Sequence, residues 1–154
     1  MKVILPGSYD PITLGHLDLI RRAAEIYSEV YVVAFINPEK KYMFSEDERK
    51  SMLSLATEDI PGVAVDFFGG RVVDYMKTHG IERIVKGYRN QKDFDYEKVQ
   101  AEYNRIHGGF ETELLEASSE FEGISSTLAR EAILSGNSLD GILPAKVIQF
   151  IRER

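Results

Sequence analysis

Residues 2–27 read KVILPGSYDPITLGHLDLIRRAAEIY, and the order of their chemistry decides the fold. A short apolar run, Val3 to Leu5, gives way to a turn dense in Gly and Pro, after which Leu17, Ile20, Ala24 and Tyr27 recur at helical spacing. The unit is strand, loop, helix. Working outward, VYVVAFI from Val30 to Ile36 has the β-branched and aromatic density of a strand buried on both faces, and Asn37-Pro38 ends it. Ser45 with Glu48 fits a capping box for a helix that turns Met52, Leu55 and Ala56 inward as far as about Thr57. Val63 to Phe67 reads as a third strand, Arg71 to His79 as a helix closed by Gly80, and Arg83 to Val85 as a fourth strand before Lys86-Gly87. Asp93 to about Ile106 is helical, Glu113 to Ala117 is a fifth strand, and Ser125–Ser135 and Ala145–Arg152 are closing helices. This β-α alternation with buried-type strands predicts an α/β fold, a single-domain Rossmann-like doubly wound arrangement with a five-stranded parallel sheet over residues 1–154.

Composition narrows the classes. With 154 residues, 44% of them apolar and 29% charged, and with no linker, repeat or low-complexity tract, one domain with a real core is expected. Cysteine is absent, which removes disulfides, thiolate metal sites and a cysteine nucleophile. The short apolar run near Met1 is too brief for a signal-peptide core or a membrane span, so the expectation is a cytoplasmic protein with no membrane partner. A formal net charge of −6 argues against a nucleic-acid partner, which needs clustered cations. Small phosphorylated ligands need only a few local cations, for which Lys40, Lys41, Lys86, Arg89, Lys92 and Arg130 are available.

Ligands of parallel sheets bind beyond the carboxyl ends of the strands. Three unusual segments fall there: residues 6–16, 37–44 and 86–93. In the first, Gly7-Ser8 and Gly15-His16 bracket the loop into the first helix, and a helix N-terminus offers free N–H groups and partial positive charge to phosphate. His16 in the first helical turn can donate a hydrogen bond to an oxygen gaining charge, and Ser8 can do so from the strand side. The loop has neither G-x-x-x-x-G-K-[ST] nor G-x-G-x-x-G, so it is not read as a Walker-type NTPase or a nicotinamide dehydrogenase.

Thr13-Leu14-Gly15-His16 resembles the motif of the nucleotidyltransferase superfamily usually written H-x-G-H, and PGSYDPITLGH is similar to the phosphopantetheine adenylyltransferases, where threonine typically opens that motif. The likeness extends along nearly the whole chain. NPEKKYMFSEDER, Asn37 to Arg49, is similar to the family's P-x-K-K-x-x-F-[ST]-x-x-E-R stretch, in which Lys40 matches a substrate-binding lysine. VKGYRNQKDFDYE, Val85 to Glu97, resembles R-G-[LIV]-R-x-x-x-D-[FY]-[DE]-Y-E, and EGISSTLARE, Glu122 to Glu131, resembles I-S-S-[ST]-x-[LIV]-[RK]-E.

The resemblance implies transfer of AMP from ATP to 4′-phosphopantetheine, giving dephospho-coenzyme A and pyrophosphate. His16 is then the catalytic residue. Ser8, Lys40, Val72 and Lys86 bind the acceptor. Ser8, Tyr9, His16, Gly87, Tyr88, Arg89, Glu97, Phe121, Glu122, Gly123, Ile124, Ser125, Ser126 and Thr127 bind ATP. No protein metal site is implied, Mg²⁺ accompanies the triphosphate, coenzyme A is a candidate feedback inhibitor, and the assembly is a homohexamer, a dimer of trimers. Asp93, Glu97, Gln100 and Asn104 share one helical face, whose first half the resemblance makes site-lining and whose second half it leaves to an interface or solvent.

Three positions depart from the family pattern: Ser8 replaces threonine and keeps the hydroxyl, Lys86 replaces arginine, and Arg71 stands where leucine is usual beside the pantetheine arm. Two rivals to this reading are a relative acting on another phosphorylated acceptor and a module that senses ATP or coenzyme A without catalysis.

Overall fold

The computed structural model describes residues 1–154. Its elements run β1 (Lys2–Gly7), α1 (Leu14–Ile26), β2 (Glu29–Phe35), α2 (Glu46–Thr57), β3 (Val63–Phe68), α3 (Val72–His79), β4 (Arg83–Tyr88), α4 (Gln91–Gly108), β5 (Glu111–Glu116), a single 3-10 turn (Ser119–Phe121), α5 (Ser126–Ser135) and α6 (Ala145–Glu153). The five strands form one parallel sheet in the order β3-β2-β1-β4-β5. The expected α/β architecture is therefore present.

Alternation along the strands sends side chains to two cores. Val3 and Leu5 of β1, with Val30, Val32 and Ala34 of β2, pack against Ile20 of α1, Met52 and Leu53 of α2, Ala129 of α5 and Val147 of α6. Ile4, Val33 and Ile84 point to the opposite face, where Tyr75 and Met76 of α3 and Ile81 meet them. Each fully enclosed aliphatic side chain contributes about 1.5–3 kcal/mol. Ile20, which has no exposed surface, is a position where truncation to alanine costs about 2–5 kcal/mol.

Register explains where the sheet opens. β1 pairs with β2 along its whole length, from Lys2 opposite Glu29 to Gly7 opposite Ala34. Its pairing with β4 covers only Val3 with Arg83 and Ile4 with Ile84. Beyond Ile4 the two central strands diverge, so a crevice opens at the carboxyl end, between the strands whose connections leave in opposite directions.

The fourth strand was expected to end at Val85, but it continues through Tyr88. Lys86, Gly87 and Tyr88 pair with Leu114, Leu115 and Glu116 of β5, so cross-strand bonding carries residues of poor strand propensity past the point where β1 has departed. In α1 Ala23 is the enclosed residue where Ala24 was expected, and in α2 Leu53 is fully buried while Leu55 is only partly so. Both shifts are one or two positions along a helix that buries an apolar stripe. The α2 capping box forms as read: the Glu48 N–H donates to Ser45 Oγ at 3.1 Å, and the Ser45 N–H donates to Glu48 Oε1 at 2.9 Å. Gly80 closes α3 at a φ of 67°, a left-handed turn that glycine adopts without steric cost. No helix is long and apolar enough to cross a membrane.

Candidate active site

The turn after β1 is built to hold His16 in one orientation. Thr13 is the N-cap of α1, and its Oγ1 accepts from the His16 N–H at 3.3 Å. The Thr13 N–H donates in return to His16 Nδ1 at 3.1 Å, so a histidine takes the place that Glu or Gln fills in an ordinary capping box. An Nδ1 that accepts carries no proton. The neutral ring therefore has its hydrogen on Nε2, which is left as a donor. Removal from water and, after it, the charges of Lys86 and Arg89 lower the His16 pKa from 6.5 to about 4, so the ring is neutral at physiological pH. Tyr9 meets the imidazole edge to face at 5.0 Å between ring centres. Tyr9 is itself held at a φ of 49°, rare for a bulky side chain, by enclosure and by its hydroxyl donating to the Leu5 carbonyl at 2.8 Å.

Around this turn lies a cavity of 410 Å³. Of the residues expected to form the site, Ser8, Tyr9, His16, Lys40, Lys86, Gly87, Tyr88, Arg89, Glu97, Phe121, Ile124, Ser125, Ser126 and Thr127 all line it. Val72 lines an adjoining cavity of 330 Å³, which shares Pro6, Gly7, Ser8, Lys86 and Glu97 with the first. Glu122 and Gly123 line neither. Asp93 and Glu97 border the first cavity, while Glu97, Gln100 and Asn104 border the second, so the whole polar stripe of α4 faces the crevice.

The cations stand on different walls. Lys40 reaches from the loop after β2 and donates to Ser8 Oγ at 2.9 Å. Lys86 on β4 pairs with Glu97 of α4 at 3.6 Å, and Arg89 pairs with Asp93 at 3.0 Å. On the opposite side the N-terminus of α5 opens toward the cavity with Ser125, Ser126 and Thr127, and Ser125 caps the helix through the Leu128 N–H at 3.0 Å. Leu19, Val85, Ala117, Phe121 and Ile124 supply an apolar surface beside it. Any side chain at Gly87 requires Leu19 to move. A Cβ there would lie 2.2 Å from Leu19 Cδ1.

Asp10, Thr13, Leu19 and Arg130 also line the cavity; the sequence offers Thr13 as the first residue of the T-x-G-H string and Arg130 as a local cation, and singles out neither Asp10 nor Leu19. Arg130 of α5 donates to the Asp10 carbonyl at 2.8 Å and to Thr127 Oγ1 at 3.2 Å, while Ser126 Oγ donates to the Pro11 carbonyl at 2.9 Å. The Asp10 carboxylate accepts from the Met43 N–H at 2.8 Å and the Phe44 N–H at 2.9 Å. These bonds join the turn to α5 on one side and to the 37–44 loop on the other. The signal for Arg130 was present in the string Glu122 to Glu131, where it is the one cation. Chemically the arrangement is two anion-binding walls, one apolar shelf and a neutral imidazole N–H donor between them.

Comparison with known proteins shows the family. A family model described as cytidylyltransferase-like matches residues 4–132. The phosphopantetheine adenylyltransferase of Cutibacterium acnes is 42% identical over 154 residues, covering 100% of this chain and 98% of that protein. The proteins of the same name from Clostridium novyi and Bdellovibrio bacteriovorus are 39% and 41% identical, covering 96% and 98% of this chain and 92% and 95% of theirs.

Proposed function

The chain belongs to the phosphopantetheine adenylyltransferases, within the cytidylyltransferase-like family, and from that membership we infer that it transfers AMP from ATP to 4′-phosphopantetheine in coenzyme A biosynthesis. An oxygen of the acceptor phosphate attacks the α-phosphorus of ATP. The bond from that phosphorus to the bridging oxygen breaks, and pyrophosphate leaves with the electron pair, giving dephospho-coenzyme A. The attacking oxygen is already ionised, so no general base is needed, and the protein contributes position and charge.

The observation that carries this reading is the placement of His16 between two unlike anion sites, Lys40 on Ser8 at 2.9 Å and the N-terminus of α5. In this assignment Ser8 and Lys40 receive the acceptor phosphate, with Lys86 beside them. Arg89, Ser125, Ser126 and Thr127 hold the triphosphate, Ile124 and Phe121 face the adenine, and the larger-armed end of the acceptor lies in the second cavity along Val72. The His16 Nε2–H donates to the α-phosphate oxygen as charge gathers there. Gly87 lets backbone approach the nucleotide, and Tyr9, Tyr88 and Glu97 complete its surroundings.

We propose that Mg²⁺ arrives on the triphosphate with its own waters. When bound in that way it neutralises part of the triphosphate charge. The exposed apolar stripe of α4, Tyr96, Val99, Tyr103 and Ile106, supports a homo-oligomeric assembly, and we propose the hexamer of the family. We propose a cytoplasmic location for this activity. Coenzyme A carries the product's arm and nucleotide together, so it is proposed to compete at this site as a feedback inhibitor.

One assay tests the reading. With ATP and Mg²⁺ supplied, pyrophosphate release is measured across a panel of phosphorylated acceptors. Release with 4′-phosphopantetheine is the expected result, and release only with another acceptor, or nucleotide binding with no release, contradicts it.

A further inference from the structure

Arg49 is the only lysine or arginine that the fold encloses, with 2% of its surface exposed. It forms no ion pair with a carboxylate. Its Nε has no hydrogen-bond partner. A cation buried without a counter-charge is costly, so its retention needs a reason outside the stability of α2. Its contacts supply one. Nη1 donates to the Ser8 carbonyl at 3.0 Å, and the guanidinium lies over the Tyr42 ring at 3.9 Å from its centre.

Those two contacts join the two segments that meet at the acceptor side. Ser8 belongs to the turn after β1, and its Oγ accepts from Lys40 at 2.9 Å. Tyr42 lies two residues beyond Lys40, which also stands over its ring at 5.8 Å. The Tyr42 hydroxyl accepts from the Asn37 N–H at 3.0 Å and donates to the Phe35 carbonyl at 3.3 Å, so the ring is anchored to the end of β2. Arg49 thus grips the Ser8 backbone with one face of its charge and the Lys40 loop through Tyr42.

We propose that Arg49 is a positioning residue for the acceptor phosphate, fixing the Ser8 turn against the Tyr42 loop so that Ser8 Oγ and Lys40 Nζ hold one spacing. The proposal rests on the assignment of Ser8 and Lys40 to the acceptor. Arg49 acts through them and touches neither substrate. The walls formed by Arg89 and α5 make no contact with it, so its effect falls chiefly on the acceptor, Ser8 being the one residue through which it reaches the ATP side.

The experiment measures pyrophosphate release for the wild type, Lys40→Ala, Arg49→Lys and the double variant, varying each substrate in turn with the other saturating. Arg49→Lys keeps the charge and loses the planar fork. It is expected to raise the acceptor KM about tenfold and to leave the ATP KM within about twofold, on the scale of a displaced binding group. In the Lys40→Ala background the same change is expected to add less than about twofold, because the two residues act through one contact. An unchanged acceptor KM in folded Arg49→Lys overturns the proposal, and so does a full, multiplicative effect in the Lys40→Ala background. An unchanged acceptor KM in Lys40→Ala overturns the acceptor assignment itself and this proposal with it. Should Arg49→Lys not fold, Tyr42→Leu and Tyr42→Phe decide: the first removes the ring beneath the guanidinium and is expected to raise the acceptor KM more than the second. Equal values for the two overturn the proposal.

Discussion

The backbone N–H of Thr13 donates to Nδ1 of His16 across 3.1 Å, and this single bond fixes which nitrogen of the ring carries the proton. The helix that begins at Leu14 thereby aims the Nε2 donor of His16 while capping itself. Replacing His16 by Ala is expected to lower kcat by at least ~10²-fold with modest loss of ATP binding, the scale of a lost oxyanion-type donor. Steady-state kinetics with ATP varied checks it, and turnover near the wild-type value contradicts the assignment.

The same ring gives a stability prediction. His16 titrates at about 4 in the folded chain and 6.5 is its ordinary value, so between those values the unfolded chain binds a proton that the folded chain refuses. Stability contributed by the neutral ring is complete above pH 6.5 and declines as pH falls toward about 4. Urea midpoints of the wild type and His16→Gln, compared from pH 7 to about 4, should converge as the pH drops. Parallel curves contradict the shift.

Gly87→Ala places a methyl group 2.2 Å from Leu19 Cδ1, and Leu19 lies on the wall of the larger cavity. Overpacking of this kind costs about 1–3 kcal/mol of stability, and because Leu19 must shift on the cavity wall, turnover at subsaturating ATP is expected to fall several-fold. Combining it with Leu19→Ala frees the space, and the double variant should recover most of the loss. Kinetics that are worse in the double variant than in Gly87→Ala contradict the steric account.

The Asp10 carboxylate takes two backbone N–H groups of the 37–44 loop, from Met43 and Phe44, and is enclosed at 4% exposure. Asp10→Ala strands both donors and is expected to cost about 3 kcal/mol in urea unfolding. Asp10→Asn returns one acceptor and should cost less. Equal stability of Asp10→Ala and the wild type contradicts this role.

The outer stripe of α4 gives a prediction about assembly. Tyr103→Glu combined with Ile106→Glu puts charge on two exposed apolar positions of a helix that has no buried residue. Light scattering should report a smaller particle than the wild type, with circular dichroism unchanged. An unaltered particle mass removes α4 from the interface.

Much of the architecture was legible because its determinants are local. The Ser45–Glu48 box, the Gly80 stop and the apolar run of β2 each act within a few residues, and each is found where the pattern puts it. The extent of β4 was not legible, since Lys86-Gly87-Tyr88 is strand only because Leu114 and Leu115 lie alongside, a relation between segments far apart in the chain. The same is true of Arg49. A cation in a helix reads as solvated, and nothing near it in sequence announces the Ser8 carbonyl that it reaches. The place of the Gln100 and Asn104 end of the α4 stripe is not legible for a related reason: periodicity identifies a face but not what lies opposite, and here Phe35, Val72 and Ile84 do.

Ser126 and Arg130 bond the carbonyls of Pro11 and Asp10 across more than a hundred residues of chain. Synthesis proceeds from the amino end, so the turn that carries His16 emerges well before its partners on α5. A nascent chain that stops at β5 has all its strands but neither of these two bonds. The turn that carries His16 is therefore locked in place only once α5 exists, more than a hundred residues after the turn itself.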